Sequence, residues 1–279
     1  MFKLFTKGFT KFWALLTAIL LIVATNAENP PGVPDGAVLT GSHTYMLDRA
    51  LMRGQGVTTD GEYLYFSGNL FLNKTNIQTH ETVANNLLAI PPALLLKGCN
   101  HIGGIGYHDG KIYAPIEDGT AYQHPYIAIF DAETLKFTGK VYEMPLELHD
   151  EGIPWCIVDG PRGYLYTLEW NHGELLNVFN LNDMTLVKTV PLSEALHRIQ
   201  GGDIYEGMLY LSADVGGKSV SRLNPVTGEV NLLFSRNVSP ECEAESMTVL
   251  PTPDGPLFCV MDIGPMRINM VLREYRLAE

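Results

Sequence analysis

The chain has 279 residues, 46% of them apolar and only 18% charged, with 19 basic residues against 31 acidic ones. That acidic balance speaks against nucleic acid or an anionic membrane surface as a partner and leaves room for cations. The length suits one large domain, and four cysteines with no C-x-x-C spacing speak against a zinc ribbon or a thioredoxin-like site.

The first segment reads as a targeting signal. Lys3, Lys7 and Lys11 form a positive start, an apolar run follows from Phe12 to Ala24, and Thr25-Asn26-Ala27 supplies small residues for cleavage. The run is shorter than the ~20 residues a membrane span needs. The expectation is a signal peptide over 1–27 and a secreted or extracytoplasmic domain over 28–279, with no membrane insertion after cleavage; an uncleaved anchor is the alternative. In an exported chain Cys99, Cys156, Cys242 and Cys259 suit two disulfide bonds, with three pairings open. Asn73-Lys74-Thr75 and Asn237-Val238-Ser239 are glycosylation sequons.

From residue 56 onward a short pattern recurs. An acid-Gly turn is followed by β-favouring residues and an aromatic. The copies are Asp60-Gly61-Glu62-Tyr63-Leu64-Tyr65, Asp109-Gly110-Lys111-Ile112-Tyr113, Gly163-Tyr164-Leu165-Tyr166, Glu206-Gly207-Met208-Leu209-Tyr210 and Asp254-Gly255-Pro256-Leu257-Phe258. They recur about every 45–50 residues, the length of a four-stranded propeller blade. Acid-Gly pairs admit the positive φ of a tight hairpin, and the residues after them suit a half-buried strand.

An apolar or glycine-rich segment precedes each turn and reads as the innermost strand: Gly56-Val57-Thr58, Gly104-Ile105-Gly106, Cys156-Ile157-Val158, Gly202-Asp203-Ile204 and Met247-Thr248-Val249-Leu250. A second hairpin follows in most repeats. In the first repeat, Leu87-Leu88-Ala89-Ile90 reads as the third strand. The last repeat stops one strand short after Met270 to Tyr275, and Ala37 to Leu47 can supply the missing strand and close the ring. The fold expected is therefore all-β, a five-bladed β-propeller closed by an N-terminal strand, with six blades as the alternative. A sandwich would lack equal repeats, and a solenoid would leave sheet edges open.

In such a ring the start of each innermost strand and the end of each second strand reach one face. An inner set of candidates is Gln55, His101, Trp155, Gln200, Glu243 and Glu245. A second set is Asn69, Glu117, Trp170, Asp214 and Asp262, with Asp118 and Glu169 adjacent. Acids and amides repeated at equivalent positions suggest a polar, acidic funnel, because burying them unpaired is costly. Glu245, His101 and Glu243 are the catalytic candidates, as groups that move protons. Gln55, Trp155, Trp170, Gln200 and Glu117 are the substrate-binding candidates. Asn69, Asp214 and Asp262 are the candidate ligands of a divalent cation such as calcium.

The segments GQGVTTDGEYLYFSG, GGIGYHDGKIYAPIED and QGGDIYEGMLYLSAD resemble the small extracytoplasmic propellers: glutamine cyclotransferases and the gluconolactonase-like, strictosidine-synthase-like and paraoxonase-like proteins. Resemblance to the gluconolactonase-like group implies a calcium-type ion at the channel mouth, with Glu245, Asn69, Asp214 and Asp262 the nearest residue types. Resemblance to the cyclotransferases implies a carboxylate proton shuttle, Glu117 or Glu245. Two functions follow as expectations: a metal-assisted hydrolase or lactonase, or a cyclotransferase, acting on a small polar molecule; or a non-catalytic module binding a glycan or protein surface through aromatics such as Tyr122, Tyr126 and Trp170.

Overall fold

The structure, a computed structural model, describes residues 12–17, 29, 31–46 and 51–278. The expected leader over 1–27 and its cleavage site lie outside the described residues, apart from a helical stretch at 12–17. Among the described residues no helix is long and apolar enough to cross a membrane.

Five antiparallel sheets form a five-bladed β-propeller. The first blade runs Gly56–Thr59, Tyr63–Gly68, Phe71–Asn76 and Thr82–Asn86. In the second, the innermost position is split between His101–Ile102 and Gly106–His108, both pairing with Lys111–Glu117; Tyr126–Asp131 and Phe137–Glu143 complete it. The third holds Ile157–Asp159, Tyr164–Thr167, Gly173–Asn180 and Leu186–Leu196, and the fourth Ile199–Tyr205, Met208–Ala213, Ser219–Leu223 and Val230–Ser235. The fifth blade takes its outer strand, Ala37–Met46, from the start of the chain; this strand pairs with Asn269–Leu277, beyond Gly255–Ile263 and the innermost Glu243–Thr252. The innermost strands touch in a closed cycle, first blade to second and onward to the fifth and back to the first.

Local sequence explains these hairpins. Asp109-Gly110 and Glu206-Gly207 have positive φ at both residues, the geometry whose twist matches the flanking strands. Between third and fourth strands, four blades share one turn, in which the N–H of His80, Leu135, Met184 or Gly228 donates to the carbonyl four residues earlier, on Asn76, Asp131, Asn180 or Asn224. Glycines in the innermost strands permit close approach of neighbouring blades. A Cβ on Gly103 would stand 1.9 Å from the carbonyl oxygen of Pro154, and Gly104 N–H donates to that same oxygen at 2.8 Å.

Between the blades lie apolar clusters. One joins Tyr65 and Leu72 of the first blade to Ile112, Ala114 and Phe130 of the second. Tyr45 of the closing strand packs on Phe66 of the first blade, ring centroids 5.7 Å apart, and carries the N-terminal strand into the joint between fifth and first blades.

Three expectations are corrected here. Leu87-Leu88-Ala89-Ile90 is not the third strand of the first blade; Phe71–Asn76 is, and the four residues form the connection into a short helix, α1 (Pro92–Leu95). The four cysteines form no disulfide: each is a separate buried thiol, in contact with His124 O (Cys99), Tyr113 O (Cys156), Asn29 Oδ1 (Cys242) and Leu257 O (Cys259). Asn73 is fully buried and hydrogen-bonded to Asn85, so its sequon is inaccessible in the folded chain, whereas Asn237 is exposed.

Candidate functional site

A cavity of about 640 Å³ opens at the face where the innermost strands begin and the second strands end. Gln55, Asn69, His101, Glu117, Trp170, Gln200, Glu243 and Glu245, all nominated from sequence, line it. They come from the first, second, third, fourth and fifth blades, so the ring itself assembles the site.

His101 and Glu117 are register partners in the second blade. The ring Nδ1 lies 2.8 Å from Glu117 Oε1, and Nε2 lies 2.7 Å from Oε1 of Gln55 in the first blade. The second Glu117 oxygen accepts the backbone N–H of Ile153 at 2.5 Å. A carboxylate fixed in this way selects the tautomer with the proton on Nδ1 and turns Nε2 toward Gln55 and the cavity. Gln55 and the imidazole exchange donor and acceptor roles there when the amide turns over or the ring takes a second proton.

Glu245 also lines the cavity, from the innermost strand of the fifth blade. It is 3% exposed and has no hydrogen-bond partner among the described residues. Burial, reinforced by the charges of Glu243 and Asp214, raises its pKa well above the ordinary carboxylate range. Glu243 is more open and pairs with Arg267 at 2.5 Å. The two acids therefore differ in surroundings: Glu245 is buried without an ion-pair partner among the described residues, and Glu243 is paired with Arg267.

A loop from the second blade to the third supplies Glu151 and Pro154. It is tied down by His149, whose ring bridges Pro145 O and Thr167 Oγ1 at 2.8 Å each, and by Glu169, which accepts the N–H of Asp150 at 2.9 Å. Burial, then the neighbouring Asp150 charge, pushes the Glu169 pKa up to about 7. Asp118 is likewise a loop fastener, accepting the N–H groups of Gln123 and His124.

Some nominated residues do not reach the cavity. Trp155 is fully buried in the core between third and fourth blades, and its predecessor Pro154 lines the cavity instead. Tyr126 is also buried, its hydroxyl held by Lys97. Asp214 lies in a separate recess, gripped by Arg198 and Lys218. Asp262 is wholly buried between Arg236 and Arg273. Of the residues nominated for a cation, Asn69 and Glu245 line the cavity, whereas Asp214 and Asp262 are each paired with two basic side chains outside it. Among the described residues no three His, Cys, Asp or Glu side chains are grouped to hold a metal ion. Conversely, Asn100, Glu151 and Arg267 line the cavity and were not nominated. They sit in connecting loops outside the repeat, where no recurring position marks them.

No family model matches the chain, and no curated protein does. Among solved structures it is similar to the hydrazine synthase of Kuenenia stuttgartiensis, with 14% identity and a TM-score of 0.44 over 81% of this chain and 59% of that one. The chain thus spans less than two thirds of that protein's length, and the likeness concerns backbone course alone.

Proposed function

We propose that the protein is an enzyme of acid–base chemistry acting on a small polar molecule in the central cavity, with Glu245 as proton donor. The observation that carries this reading is the Glu245 carboxyl itself: buried, without a hydrogen-bond partner among the described residues, in the wall of a polar cavity, with a pKa that burial raises. Such a group costs stability, and groups of this kind cluster at functional sites. His101, steered by Glu117, supports the complementary role of base on the same cavity. The Gln55, Asn69, Asn100 and Gln200 amides offer donors and acceptors to orient a substrate.

Two reaction classes use this pairing. In a cyclising transfer, His101 takes a proton from the attacking amine while Glu245 protonates the departing ammonia. In hydrolysis of a lactone or ester, His101 takes it from water while Glu245 protonates the departing alkoxide. The leader-like start of the chain supports an extracytoplasmic setting for this activity.

A panel of N-terminal glutaminyl peptides, lactones and esters tests the reading, using wild type, Glu245→Gln and His101→Ala. Turnover of one class, with kcat lowered about 10²-fold or more in both variants at unchanged folding, is the expected result. Saturable binding without turnover would remove the enzyme reading and leave a binding module, for which Tyr122 and Trp170 in the cavity wall are the supporting observation.

A further inference from the structure

A second recess, of about 260 Å³, opens beside the cavity between the first and fifth blades. The residues it does not share with the main cavity are the apolar Leu51, Phe71 and Ile263 with Gly54 and Gly68, and Leu70 extends the apolar wall to the border between the two. It shares Gln55, Asn69, Leu70, Glu243, Glu245 and Arg267 with the main cavity, so the buried carboxyl lies on their common border. The main cavity is different in character. It holds Glu117, Glu151 and Glu243 against the single guanidinium of Arg267, with Glu117 facing His101 and Glu243 paired with Arg267, and Tyr122 and Trp170 add aromatic faces.

We propose that the ligand of this site is amphipathic, with a cationic head among the carboxylates and an apolar arm in the recess between the first and fifth blades. This rests on the proposed function only in placing the ligand's polar end beside Glu245. Three features carry it. The apolar walls are continuous with the polar cavity and not a separate patch. Leu51 stands 67% exposed on the recess rim, a cost that an apolar occupant offsets. The excess of carboxylates and the aromatic faces together favour an ammonium over an anion. Leu51, Leu70, Phe71 and Ile263 are then specificity-determining residues, because they select the arm without touching the reacting atoms.

The test uses the n-alkylammonium ions from methyl- to hexylammonium, with affinity measured by calorimetry on the full chain. Wild type is expected to gain about two- to fourfold in affinity per methylene until the recess is filled. Phe71→Ala and Leu51→Ser are expected to flatten this gain while leaving methylammonium binding unchanged. Leu51 is exposed, so its substitution reads the recess without disturbing the fold. Absence of binding by the series, absence of a chain-length gain, or an equal gain in both variants would overturn the inference. Because the readout is binding, it separates from the enzyme reading: a chain-length gain without turnover of any substrate sinks only the latter, and Glu245-dependent turnover without a chain-length gain sinks only the former.

Discussion

His101 and Glu117 face each other across adjacent strands of the second blade, with ring Nδ1 2.8 Å from Oε1 and the carboxylate's other oxygen held by Ile153 N–H. The proposed base is thus oriented by a group anchored to the loop that forms part of the cavity wall. Glu117→Gln is expected to lower kcat by about 10-fold or more, less than His101→Ala, because the imidazole remains and only its orientation is lost. Equal KM with reduced kcat in steady-state kinetics checks it; unchanged kcat would remove Glu117 from the mechanism.

Glu245 makes stability depend on pH in a defined direction. Its folded-state pKa lies above the unfolded value. The folded state therefore holds the extra proton, and stability falls as pH climbs from the ordinary carboxylate range toward the raised value. Glu169 contributes the same sign up to about pH 7. Glu245→Gln is expected to be the more stable protein, by a margin that widens as pH rises from about 5 to about 8. Thermal midpoints of both proteins across that range decide it, and a constant margin would show that the carboxyl is not held neutral.

Asp262 joins Arg236 and Arg273 at the joint between fourth and fifth blades. Replacing it with Ala leaves two buried guanidinium groups without their counter-ion, and a loss of about 3–5 kcal/mol is expected. In a domain of this size that corresponds to roughly 10 °C in the unfolding midpoint. A change of a degree or two would mean the arginines find other partners.

Gly103→Ala should be poorly tolerated although the change is a single methyl. The added Cβ meets the Pro154 carbonyl at 1.9 Å, and backbone cannot yield as a flexible side chain would. A destabilisation of about 1–3 kcal/mol is expected from such overpacking. Denaturant titration of the purified variant measures it.

The thiols give a chemical check on the structure. Burial pushes Cys99 up to about 11 and Cys156 up to about 12, and raises Cys242 and Cys259 as well. Little thiolate is then available at neutral pH. Alkylation without reductant is expected to label none of the four in the folded protein and all four after denaturation, as read by intact mass. Two labelled and two protected thiols after denaturation would show a disulfide.

The ring was legible because its turns repeat. Each acid-Gly pair, or its Gly163 counterpart, precedes a strand with a buried aromatic three or four residues past the glycine, and the hairpin geometry leaves few other choices of residue. The first blade was harder to read. Its third strand carries Asn73, Lys74 and Thr75, which look like a solvated loop, yet all three are buried. Lys74 lies 4.2 Å from the centre of the Tyr63 ring and pairs with Glu133, and Asn73 bonds to Asn85. Partners from distant segments, invisible in a local pattern, make a polar strand stable. The same reason separates Glu245 from Asp214 and Asp262. All three occupy the expected ring positions, but Arg198, Lys218, Arg236 and Arg273 follow no repeat, and their placement decides which acids are neutralised inside the protein. Trp155 missed the cavity by one residue: it precedes the strand Ile157–Asp159 and packs into the core, while Pro154 lines the cavity.

The closing strand sets the order in which the molecule can be completed. Ala37 pairs with Leu277, and Met46 with Asn269, so the earliest-made strand of the ring waits for the latest before either has its full set of partners. Every other blade is assembled from neighbouring chain and can form locally. Joining the two ends encloses most of the sequence in one loop, and the entropy of that closure must be met before Tyr45 reaches its pocket. A polypeptide emerging in order therefore carries Ala37–Met46 without its strand partner, and the fifth blade open, until Asn269–Leu277 has followed.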